Sequence, residues 1–191
     1  MLNAADENQD PARLYIALYK LSDAADNYHW GIVAPSTNRL SAPTQTYHII
    51  NSTSIISFSS STGWKHGHQV VAPLEFERFH GFIRLPPLID PARISDVRRI
   101  ISEYEPVQSG VPLLIGRSEW DCVHWVVHVI GEVVRQNHLS RAEFYYPHPK
   151  WADKLYNNIL KAGAKARHRR NECEITSDGV IVVDYRRDDA Y

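Results

Sequence analysis

Cysteine is scarce in this sequence: Cys122 and Cys173 are the two thiols among 191 residues. A disulfide framework therefore cannot be built, and neither a CxxC pair nor a Cys/His set with zinc spacing occurs. No apolar run approaches the roughly 18 residues needed to cross a bilayer. The first ~30 residues lack the basic, apolar and small-residue pattern of a secretory leader. These absences predict a soluble protein of the reducing, cytoplasmic compartment with no membrane span. A charge excess is missing too, since 21 basic side chains face 22 acidic ones, so no global field draws nucleic acid or an anionic membrane. Nor is there a glycine-rich phosphate loop, a dinucleotide fingerprint or a nucleophile-elbow serine, so no cofactor is expected.

The apolar share of 43% and the length fit one domain with a sizeable core. Residues 1–12 are polar and end near a proline, which reads as a disordered start, leaving 13–191 as a single α+β domain. β-rich runs at 14–21, 28–34 and 46–50 predict adjacent strands, and SIISF (54–58) and GFIRL (81–85) are candidates to extend the sheet. Between those two lies a Ser/Gly/His-rich loop, 59–69. Asp90 before Pro91, followed by Ile94, Val97, Ile100, Ile101 and Tyr104, predicts a helix over 91–104. Ser118 with Asp121 resembles a capping box, and Cys122, Trp125, Val126, Val129, Ile130 and Val133 follow at helical spacing. A further helix is expected over 150–162, stopping near Gly163, and a last buried strand over 179–185. Strands first, helices next and a strand last predict an antiparallel sheet packed on helices, not alternating βαβ units.

With Ser118 as N-cap, Cys122 is the fourth helical residue, in the turn where free amides and the helix dipole favour a thiolate. A nucleophilic cysteine belongs in such a place, although a small buried residue at the head of an apolar stripe reads equally simply. A thiol nucleophile needs a base, and His29 in Tyr28-His29-Trp30-Gly31-Ile32 lies on a strand beside a glycine that leaves space before the ring. His48 lies on the next strand. The two imidazoles share a face only if the hairpin pairs odd with even positions, which sequence does not fix.

Together, His29-Trp30-Gly31-Ile32, Tyr47-His48-Ile49 and Asp121-Cys122-Val123-His124-Trp125 resemble the motifs of the lecithin:retinol acyltransferase-like proteins, which have a circularly permuted papain-like fold. The order histidine, histidine, cysteine is that of the permuted family. The likeness covers roughly 28–130. It implies Cys122 as nucleophile, His29 as general base, His48 as the residue that orients the base, and a structural role for His124. The chain departs from the family at Asp121, where the family has Asn, and at Val123, where it has Glu.

The implied activity is a cysteine-dependent hydrolase or acyl-group transferase acting on an amide, ester or thioester of a small-molecule or peptide substrate. The alternative is a binding or scaffold protein that retains the fold without chemistry. Other features read more plainly. His66, His68 and His80 lack a carboxylate or thiol to complete a metal set, so no metal is expected. His124 and His128, one helical turn apart, read as surface or boundary residues. Trp30 and Trp125 read as core. The basic stretch Lys161, Lys165, Arg167, His168, Arg169 and Arg170 reads as a solvated helix end, or otherwise as a site for an anionic partner. Substrate, acceptor and oligomeric state are not encoded in any motif.

Overall fold

Alternation of apolar side chains builds a sheet with two unlike faces. A computed structural model of the chain describes residues 12–22, 27–35, 39–51, 63–107, 112–168 and 173–185. Its strands are β1 (Arg13–Lys20), β2 (Tyr28–Val33), β3 (Thr44–Tyr47), β4 (Ile49–Asn51), β5 (Trp64–His66), β6 (Gln69–Val71), β7 (Phe79–Pro87), β8 (Glu174–Ile175) and β9 (Ile181–Asp184). Three helices, α1 (Ile94–Glu103), α2 (Cys122–Arg135) and α3 (Trp151–His168), lie between β7 and β8. Seven strands form one sheet in the order β6-β3-β2-β1-β7-β9-β8, and β4 pairs with β5 in a small second sheet.

The architecture is α+β, as the element order predicts, but the sheet is mixed and not purely antiparallel. All three helices intervene between β7 and β9, and this long crossover returns the chain beside β7 in the parallel sense. Leu14, Ile16 and Leu18 of β1, with Tyr28, Trp30 and Ile32 of β2, join α2 in the main core. Tyr15 and Ala17 of β1 with Val33 of β2 point the other way, into a smaller cluster with Phe82 and Val182. Period-two alternation thus assigns every side chain of β2 to a face.

Asp90 accepts a hydrogen bond from Ala92 N and starts a single 3-10 turn at Pro91, from which α1 continues. The start of α2 differs from expectation. Its N-cap is Asp121, whose carboxylate accepts from Val123 N and His124 N, so Ser118 stands outside the helix. Trp125, Val126, Val129 and Val133 are all buried, as the stripe predicts, but so is most of the rest of α2. A helix apolar all round belongs in the interior; α1 and α3 flank α2, and β2 lies beneath it. Helix α3 runs through Gly163 to His168 because that glycine packs flush on β1, where an added Cβ would sit 3.1 Å from Leu18 Cδ1. Strands β5, β6 and β8 were not expected. The 54–58 candidate, residues 1–11, and Arg169 and Arg170 lie outside the described residues. No described helix is long and apolar enough to cross a membrane.

Candidate active site

Two strand histidines meet first. Strand β2 pairs with β3 through Ile32–Tyr47 and Val33–Thr46, so odd positions face even ones. His29, Gly31 and Val33 therefore share a face with Thr46 and, by continuation, His48. The rings touch, with His29 Nε2 2.7 Å from His48 Nδ1. The space beside Gly31 is not open to a ligand. An added Cβ there would lie 2.8 Å from Thr46 Cγ2 and 3.6 Å from His48 Cβ, so the glycine admits the neighbouring strand and brings His48 close to His29. Tyr19, opposite His29 in the β1–β2 ladder, completes the cluster, its ring centre 6.5 Å from that of His29.

Burial pushes the His29 imidazole down to about 4, and its neighbour His48 adds to this because two adjacent imidazolium ions repel. His48 is lowered for the same first reason, with the Gly67 carbonyl acting in the opposite sense. Gly67 sits on the Nε2 side of that ring, since a Cβ built on it would be 3.1 Å from His48 Nε2. His68 extends the cluster, its Nδ1 accepting from the His48 amide at 3.3 Å, and its ring stacks on His66 at 4.5 Å.

Cys122 is the first residue of α2, not the fourth, and is 5% exposed. Burial raises its thiol above the ordinary value, while the amide of Trp30, the Arg117 guanidinium and amides of its own turn draw it back down. Sulfur and histidine strand therefore meet at the Trp30 amide. The His29 imidazole leaves β2 from the face opposite Trp30, and among the described residues no hydrogen bond joins Cys122 Sγ to His29 or His48. The structure brings His29 and His48 together and sets the thiol against the residue next to His29.

His124 is fully buried and not a boundary residue. Its Nε2 accepts from Leu114 N at 3.1 Å, which requires the proton on Nδ1, where it donates to Asp121 Oδ1 at 2.8 Å. His128 stacks on Trp120 and meets Trp151 edge-on. Burial takes both histidines down to about 4. No group of three or more metal-ligating side chains forms among the described residues.

The sequence reading missed two members of this neighbourhood. Arg117 pairs with Asp121 Oδ2 and lies over the Tyr156 ring, with its carbon 6.0 Å from the centroid. Tyr156 in turn packs on Trp30, ring centre to ring centre at 6.0 Å. The available signal was Asp121 itself, as good a cap as Ser118 and immediately before the apolar run. Arg117, four residues before it, is then in reach.

Residues 12–153 match the model of a family of unknown function, DUF6914, and the chain belongs to that family. The match takes in β1, both strand histidines and the whole of α2. Neither the curated proteins nor the solved structures give a match to this chain.

Proposed function

We propose that the protein is a cysteine-dependent hydrolase or acyl-group transferase, acting on an amide, ester or thioester through Cys122, with His29 as general base and His48 orienting it. The observation that carries this reading is the His29–His48 hydrogen bond on the strand whose next residue, Trp30, turns its amide to a helix-opening cysteine. The resemblance to the permuted papain-like family supports the same three residues.

The 2.7 Å contact between His29 Nε2 and His48 Nδ1 supports a division of labour. When His29 Nε2–H donates to His48 Nδ1, the free lone pair is left on His29 Nδ1. This is the tautomer a base needs. The thiol is raised and the imidazole lowered, so both rest neutral at pH 7 and not as a thiolate–imidazolium pair. The step that fits is base-assisted attack. Cys122 Sγ bonds to the carbonyl carbon as its proton passes to His29, the proton then goes to the leaving group, and water or another acceptor releases the acyl group. Oxyanion stabilisation falls to the Cys122 amide, because the Asp121 carboxylate already takes Val123 N and His124 N.

That step requires the imidazole and thiol to come within about 3 Å for the proton to move, a contact the resting geometry lacks. A second reading follows from this gap: a binding or scaffold protein on the same fold, favoured by the buried thiol. Reaction with an activated ester separates the two. Acylation of Cys122 that His29→Ala slows by at least ~10²-fold supports the enzyme; an unacylated Cys122 supports the scaffold.

A further inference from the structure

Asp121 poses an electrostatic problem for the residue that follows it. Its carboxylate caps α2 with three contacts to Oδ1, from Val123 N, His124 N and His124 Nδ1. An anion is thereby fixed one residue from Cys122, where a second anion must form if the sulfur is to ionise. Like charges this close oppose one another most strongly where water is excluded, and Cys122 is buried. A neutral Asn would cap the helix as well without that conflict.

The free oxygen of the cap, Oδ2, takes Arg117. The guanidinium also lies over the Tyr156 ring of α3, while Asp153 of α3 fixes the same loop by accepting from Ile115 N at 2.8 Å. Arg117 is thus seated by α2, α3 and its own loop. We propose that Arg117 is a positioning residue for Cys122: its ion pair with Asp121 cancels the cap's negative charge and lets a thiolate form at the next position. The other groups facing the sulfur do not supply this balance. From β2 comes the Trp30 amide, a dipole and not a charge. On α2, His124 is neutral, its Nε2 lone pair committed to Leu114 N. Arg117 also acts directly, since its positive charge lowers the Cys122 thiol.

The inference rests on Cys122 being the group that ionises, and not on His29 being its base, so the two fail separately. The test is a pH titration of the Cys122 Cβ carbon by NMR in full-length protein labelled with [3-13C]cysteine, the signal being assigned by its loss in Cys122→Ser. Arg117→Gln is expected to raise the Cys122 pKa by about one unit, a tenfold loss of thiolate at a given pH. Asp121→Asn is expected to lower it, Arg117→Lys to stay near the parent, and Arg117→Gln/Asp121→Asn to return toward the parent. A purely structural arginine would not show that return. An unchanged pKa in Arg117→Gln overturns the proposal, as does a double variant as high as the single one. If Arg117→Gln fails to fold, Asp121→Asn alone decides: a pKa that does not fall overturns the proposal.

Discussion

His29 Nε2 lies 2.7 Å from His48 Nδ1 because β2 and β3 pair odd positions with even ones and Gly31 lets the strands close. One residue of slip would send His48 to the helical face and leave His29 alone. The pair is thus a product of register, and its protonation should report on the contact. His48→Ala removes the ring whose charge would oppose that of His29 and admits water, so the His29 pKa should rise from about 4 toward the ordinary 6.5. NMR titration of the His29 ring protons measures this. A His29 value that stays near about 4 means that burial alone sets it.

Gly131 should prove as demanding as any core residue. An added Cβ would stand 2.2 Å from Trp151 Cη2, and Trp151 also meets His128 edge-on. Alanine normally favours a helix over glycine by about 1 kcal/mol. Here overpacking should outweigh that gain and Gly131→Ala should destabilise the fold by roughly 1–3 kcal/mol. Urea unfolding at neutral pH is the measurement, and a stabilised variant would mean that the indole has room to move.

Much of this arrangement was legible in the chain, for reasons that can be named. Strands β1 and β2 showed themselves by β-rich runs around a polar turn, and α1 by Asp90-Pro91 and a helical stripe, because local propensity and tertiary packing agree there. The start of α2 was misplaced by one turn because Ser118 and Asp121 are both good caps, and only the contacts of Arg117, Val123 and His124 select Asp121. His124 reads as a boundary residue because the sequence shows one apolar stripe, whereas α1, α3 and the sheet together enclose nearly the whole helix; His128 does lie half-buried at the boundary. The parallel β7–β9 pairing and the His29–His48 register depend on long-range placement that no local pattern carries.

Acid should destabilise the protein over a defined window. His29, His124 and His128 are each lowered to about 4 in the folded chain, against 6.5 when exposed. Between these values the unfolded chain binds more protons, so unfolding free energy falls as pH falls. The stabilisation is fully present above about pH 6.5 and is lost progressively toward about pH 4. Urea midpoints at about pH 7, 6 and 5 should therefore decline in that order, and His128→Gln should make the decline shallower. Equal midpoints across the range would mean that the three imidazoles titrate as they do in the unfolded chain.

The most direct test of the Cys122–His29 chemistry is the mass of the protein after brief exposure to p-nitrophenyl acetate near pH 7. Parent protein should release nitrophenolate and gain one acetyl group, mapped to Cys122. Cys122→Ser should gain none there, His29→Ala should acetylate at least ~10²-fold more slowly, and His48→Ala should be slowed less. Acetylation of Cys122 at the same rate with and without His29 would contradict the dyad, and a parent protein whose Cys122 stays unmodified would contradict the enzyme.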